Sequence, residues 1–219
     1  MTMNFEQARR NMVEQQVKPW EVFDARVLTL FGTVQREDFV PVRYRKVAFA
    51  DMLIPLDHGE VMMKPVVEGR MLQAVDVRPE ETVLEVGTGS GYITACLAQL
   101  AGEVVSVDIH ASFTEGASRR LAEQGIDNVE LSTGDVMRGW QPERAHDVVV
   151  ITGSVPEIPD AFTGWVNPGG RLFCITGESP AMEAVLLTRL DATEWRRESL
   201  FETDLPLLVN SVKPPEFEF

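Results

Sequence analysis

Apolar positions along this chain change their period, and each change predicts a different kind of element. Near the start, Phe5, Ala8, Met12 and Val13 fall on one helical stripe, and Val27, Leu28, Phe31 and Val34 on a second. Asn4 followed by Gln7 resembles a capping box opening the first helix, Pro19 ends it, and Asp24 caps the second. The stretch from Arg36 to Pro65 holds neither period and predicts an irregular segment, after which Val66–Val75 reads as a third helix. From Thr82 the pattern turns regular. Apolar runs predict strands over Thr82–Val86, Val104–Ile109, Val129–Ser132, Asp147–Thr152 and Arg171–Thr176. Helical stretches fall between most of them, at Ile93–Ala101, at Ala111–Gln124 before Gly125, and at Ile158–Val166. Such alternation implies an α/β fold, a parallel sheet covered on both faces.

The rhythm breaks at the end. Ala184–Leu190 and Arg197–Val209 both read as strands joined by a turn at Asp191–Glu194, which predicts a terminal antiparallel pair. The expected organisation is a helical and loop flank over residues 1–80, a core over 81–212 and a loose tail over 213–219, all in one structural domain.

Composition narrows the partners more than the fold. A chain of 219 residues with 44% hydrophobic and 25% charged residues can bury a full α/β core. The formal charge of −14 argues against a nucleic-acid backbone and against an anionic membrane surface as partners. No apolar run is long enough to span a bilayer, and Met1–Gln16 is too charged for a signal peptide. Cys96 and Cys174 each sit in apolar surroundings and read as buried hydrophobes. With no Cys/His cluster, no metal is expected, and a reducing cytoplasm is the expected compartment.

Chemistry enters at Leu84-Glu85-Val86-Gly87-Thr88-Gly89-Ser90-Gly91-Tyr92, where a strand runs into a triple-glycine turn. Glycines let backbone approach a ligand closely, and a helix opening behind them aims free N–H groups at it. The G-x-G-x-G spacing is tighter than that of dinucleotide folds, and Glu85 would repel a pyrophosphate. A cofactor with a cationic amino-acid end would gain from Glu85. S-adenosylmethionine is such a cofactor, which makes a methyltransferase the leading reading. Further candidates lie where ligands bind in open α/β sheets, at the carboxyl ends of strands. Asp108 and Ile109 end the second strand, where a carboxylate binds ribose hydroxyls. Gly134-Asp135 follows the third, where Asp135 would accept from an adenine amino group, and Thr152 closes the fourth beside the methyl donor. Thr88 and Ser90 complete the turn. Bland alternatives stand beside these: Asp108 as a helix cap, Asp135 as a turn residue, Asp147 as a residue opening its strand. A nicotinamide dehydrogenase shares the architecture, but its sheets seldom combine this spacing, an acidic residue at Glu85 and a terminal antiparallel pair.

The chain also resembles the protein-L-isoaspartate O-methyltransferases over nearly its whole length. The resemblance is carried by Met12–Val17, by Arg36-Glu37-Asp38-Phe39-Val40-Pro41, and by Ala48–Asp51 with Ile54-Pro55 and His58-Gly59. It continues through Leu84–Tyr92, Gly134-Asp135, Gly139-Trp140, Pro156–Pro159 and Asn167–Leu172. It implies a class I, Rossmann-like methyltransferase sheet, S-adenosylmethionine as cofactor, and isoaspartyl carboxylates of damaged protein as acceptor. One segment departs. After His58-Gly59 the family reads Gln-Thr-Ile-Ser-Gln-Pro, and here the chain reads Glu60-Val61-Met62-Met63-Lys64-Pro65. Both hydroxyls are gone, with Met63 at the serine position. Lys64 is a candidate compensating charge, and His58 lies in the active-site loop by resemblance, whereas His110 and His146 read as ordinary loop or strand-edge residues. A carboxylate is already nucleophilic, so alignment matters more than a general base. The alternatives are a divergent methyltransferase acting on another acceptor, a small molecule included, or a cofactor-binding protein with little turnover.

Overall fold

The computed structural model describes residues 4–211. Helix α1 (Phe5–Met12) starts where Asn4 Oδ1 accepts the Gln7 N–H at 3.0 Å. Only half of the expected box forms, because the Gln7 side chain turns to Asn11. A wider turn at Val13–Val17 and a tight one at Lys18–Trp20 follow. Asp24 caps α2 (Ala25–Thr33) through the Arg26 N–H. The expected irregular segment holds a short α3 (Arg36–Phe39) and a small ribbon, β1 (Ile54–Pro55) antiparallel to β2 (Val61–Met62). Helix α4 (Pro65–Val75) begins with a proline, whose missing N–H costs nothing there.

The core alternates β3 (Thr82–Val86), α5 (Tyr92–Leu100), β4 (Glu103–Asp108), α6 (Ala111–Glu123), β5 (Val129–Thr133) and β6 (His146–Val155). A short α7 (Asp160–Thr163), then β7 (Val166–Glu178), β8 (Ala181–Arg189) and β9 (Trp195–Thr203) complete it. The sheet order is β5-β4-β3-β6-β7-β8-β9, with pairings parallel from β5 to β7 and antiparallel from β7 to β9. The α/β class and the terminal antiparallel pair expected from the pattern are both present.

Alternate strand residues serve opposite faces, as the pleat requires. Val83, Val148 and Phe173 pack with Cys96 and with the flank through Met12, Phe31 and Leu72. Leu84, Val149 and Leu172 pack with Cys174, Phe162 and Trp165 on the other face. Both cysteines are therefore buried hydrophobes, as expected.

Two elements differ from the pattern. The helix expected over Ile158–Val166 shrinks to α7, because Trp165 accepts the His146 N–H and Val166 already pairs with His146 in the sheet. The last strand stops at Thr203 rather than Val209. Pro206 has no N–H for a ladder, and the chain crosses to the end of β6, where Ser154 donates to Pro206 O at 3.1 Å and Leu208 donates to Ser154 O at 2.8 Å. The expected tail, with Pro214, Pro215 and Glu216–Phe219, lies outside the described residues.

Candidate active site

A trench runs along the carboxyl ends of β3, β4 and β6. Its wider part, about 620 Å³, is lined by Gly87, Gly89, Asp108, Ile109, Gly134, Asp135 and Thr152, together with Glu60, His110 and Phe113. Its narrower part, about 300 Å³, adds Met62, Met63, Glu68, Glu85, Thr88 and Ser90, and shares Val61, Gly87, Gly89 and Thr152 with the first.

The glycine turn is held from two sides. Val107 O accepts the Gly87 N–H at 2.8 Å, and Thr152 Oγ1 donates to the carbonyls of Val86 and Gly87 at 2.9 and 2.7 Å. Gly87 has φ +100°, and a Cβ there would lie 2.3 Å from Thr152 Oγ1. Gly91 has another purpose. It lines neither part of the trench, and a Cβ there would meet Ala117 Cβ at 2.9 Å, so it lets α5 pack on α6.

Glu85 is fully buried near the end of β3. Its Oε2 accepts from Thr94 Oγ1 at 2.5 Å and Ser106 Oγ at 2.6 Å, while Oε1 has no partner. Burial pushes its carboxyl up to about 8, against the lowering effect of those two hydroxyls. Glu85 lines the narrow part of the trench, and a buried carboxylate with one oxygen unpartnered fits a cationic group.

Asp108 is not the cap of α6, since His110 holds that position. One oxygen accepts the Gly89 N–H at 2.8 Å and the other the His110 N–H at 2.9 Å, which ties the end of β4 to the glycine turn. Burial raises its carboxyl despite both bonds. Asp135 is a turn residue and also lines the trench: Oδ1 accepts the Met137 N–H, and Oδ2 accepts from Asn210 Nδ2 at 2.8 Å. Asp147 is structural, accepting from Thr82 and Asn167.

The loop residues separate. Met63 is buried and lines the narrow part, and its carbonyl accepts from Arg36 Nη2 at 2.7 Å. Lys64 does not join it. Extended backbone turns successive side chains to opposite sides, and Lys64 lines a different hollow with Trp20, Asp51 and Arg70. The expected compensating charge is therefore absent from the trench. His58, at φ +60°, also stays outside the trench lining, stacked on His110 at 4.1 Å with Nε2 2.9 Å from Ser112 Oγ. It supports the wall rather than reaching the reacting end.

Several trench residues escaped the sequence reading. His110 lines the wall with Nε2 3.9 Å from Glu60 Oε1, and Pro206–Val209 close the wide part from the far end of the chain. The proline after β9 was the available signal for that crossing. His146, read as a strand-edge residue, is buried at the start of β6.

Residues 7–200 match the family described as protein-L-isoaspartate(D-aspartate) O-methyltransferase. A protein-L-isoaspartate O-methyltransferase of Brucella anthropi is 35% identical over 198 residues, covering 90% of this chain and 91% of that one. One from Koribacter versatilis is 34% identical over 208 residues, covering 94% and 93%. In overall shape the chain is similar to a putative protein-L-isoaspartate O-methyltransferase from Plasmodium falciparum, solved with S-adenosyl-L-homocysteine. That TM-score is 0.79 at 17% identity, over 94% of this chain and 99% of that one. At such identity the likeness concerns the fold.

Proposed function

The chain belongs to the protein-L-isoaspartate(D-aspartate) O-methyltransferase family and is an S-adenosylmethionine-dependent methyltransferase; we propose that the trench is where it works. The observation that carries this reading is the buried Glu85, which lines the narrow part and keeps one carboxylate oxygen unpartnered. When bound, S-adenosylmethionine supplies a methyl group on a positively charged sulfur.

Glu85 holds the cofactor's ammonium. Asp108, whose oxygens each keep an unused lone pair, takes the ribose hydroxyls, and Ile109, Gly134 and Asp135 flank the adenine. Thr152 braces the glycine turn beside the methyl donor. Thr88 and Ser90 shape the narrow part, and Met63 stands at its acceptor end.

The family's acceptor is the carboxylate of an isoaspartyl residue in damaged protein, and it is the first acceptor to test. An acceptor carboxylate needs alignment more than a base. Val61 and Met63, which offer no hydroxyl, favour a second reading in which another acceptor is used. Among the described residues no helix is long and apolar enough to cross a membrane, and both cysteines are free and buried, which fits a cytoplasmic protein.

Titration calorimetry with S-adenosylmethionine and S-adenosylhomocysteine tests the cofactor site. Binding is expected. No binding at millimolar concentration, or a preference for NAD, would overturn it. Labelled cofactor incubated with a lysate should also mark an acceptor, whereas binding without any transfer would point to a cofactor-binding protein.

A further inference from the structure

A third carboxylate lines the wide part of the trench. Glu60 stands there with Asp108, Asp135 and His110, and it does not line the narrow part. Its backbone is pinned at the foot of the small ribbon: the Leu56 N–H donates to Glu60 O at 2.8 Å, and the Glu60 N–H donates to Asp57 O at 3.1 Å. The ribbon tip is anchored in turn at the start of α6, where His58 stacks on His110 and its Nε2 lies 2.9 Å from Ser112 Oγ.

The side chain itself is left free. It keeps 31% of its exposure, and among the described residues its one ion-pair contact is His110 Nε2, 3.9 Å from Oε1 and too long for a hydrogen bond. Burial pushes the Glu60 carboxyl up, and the charge of Asp108 adds to that push against the pull of His110 and His58. Two carboxylates thus face one cavity with no cation held firmly between them. A ligand that brings two neutral hydroxyl donors suits such a pair.

Position selects which end of the cofactor Glu60 meets. The ammonium lies with Glu85 in the narrow part, which Glu60 does not line. The adenine lies toward Gly134 and Asp135, after β5. Glu60 stands instead beside His110 at the end of β4, and that strand end serves the ribose.

We propose that Glu60 is a second ribose carboxylate: one ribose hydroxyl donates to Asp108 and the other to Glu60. This rests on the trench being the cofactor site, and it adds the residue that holds the ribose from the ribbon side. The family reads glutamine at this position. An amide oxygen also accepts, but a hydrogen bond to a carboxylate is charge-assisted and roughly twice as strong. The carboxylate therefore makes this chain more dependent on an intact ribose diol than a glutamine would.

The test uses the full chain and titration calorimetry with S-adenosylhomocysteine and its 2′-deoxy and 3′-deoxy analogues. Wild type, Glu60→Gln and Glu60→Ala are compared. For one analogue, wild type is expected to lose at least about tenfold in affinity, the worth of one hydrogen bond to a charged group. The same deletion should cost Glu60→Ala nothing and Glu60→Gln an intermediate factor. The other analogue should lose an equal factor in all three proteins, since its hydroxyl belongs to Asp108. If both deletions cost Glu60→Ala as much as wild type, the proposal falls and the cofactor reading stands. Should Glu60→Ala fold poorly, a Glu60→Gln factor equal to that of wild type overturns the proposal as well. Failure of wild type to bind S-adenosylhomocysteine would sink both readings.

Discussion

Thr94, on the helix behind the glycine turn, donates its hydroxyl to Glu85 Oε2 at 2.5 Å, while Oε1 keeps no partner. Because burial holds the Glu85 carboxyl up to about 8, the free protein keeps it largely protonated below that pH. Pairing with an ammonium needs the ionised form. Affinity for S-adenosylhomocysteine should therefore fall as pH drops below that value, by up to roughly tenfold per unit. Calorimetry across this range checks it, and a flat profile would argue against Glu85 as the ammonium partner.

The same shift makes Glu85 costly to the cofactor-free fold. A carboxyl raised from 4.5 to about 8 contributes most below the lower value, and that contribution is lost as pH rises toward the upper one. Glu85→Gln should thus melt higher than wild type at pH 8 without cofactor, yet lose cofactor binding. Lower melting together with retained binding would contradict both halves.

Two glycines should fail differently. Gly87→Ala places a Cβ 2.3 Å from Thr152 Oγ1 at φ +100° and should weaken both the turn and cofactor binding. Its cost should be on the order of 1–3 kcal/mol. Gly91→Ala drives a Cβ to 2.9 Å from Ala117 Cβ, and should lower stability more than cofactor affinity, since Gly91 lines no part of the trench. Denaturant unfolding and calorimetry on both variants separate the effects.

Arg36 and Glu68 should be strongly coupled in stability. Arg36→Met alone leaves Glu68 buried without its cation and should cost about 3–5 kcal/mol. Adding Glu68→Leu should recover much of that loss, because a neutral pair removes the stranded charge. A double-mutant cycle by urea unfolding reads the coupling directly.

Restoring the missing hydroxyls should move the acceptor preference. Val61→Thr with Met63→Ser supplies donors for a carboxylate, and a single hydrogen bond to a charged group is worth roughly 1.5–3 kcal/mol. Isoaspartyl peptide methylation should rise by about one to two orders of magnitude. Wild-type turnover already equal to that of the double variant would show that the hydroxyls are immaterial here.

Local pattern was enough to read the order of strands and helices, the glycine turn with Glu85, and the loss of hydroxyls at Val61 and Met63. Alternation and turn chemistry act between near neighbours, so they are written in consecutive residues. The placement of Asp108, Ile109, Asp135 and Thr152 on one rim was legible for a related reason: parallel strands bring their carboxyl ends together whatever lies between. Long-range packing decided the rest. Whether Lys64 or Met63 meets the trench depends on which way the backbone enters α4, and His58 is turned aside by a stack with a residue on another element. Glu68 reads in the chain as one more helical position. Only the fold reveals that it shares a cavity with Glu85, with Arg36 on one of its oxygens and nothing on the other, because burial and hydrogen-bond satisfaction belong to the assembled interior rather than to any stretch of sequence.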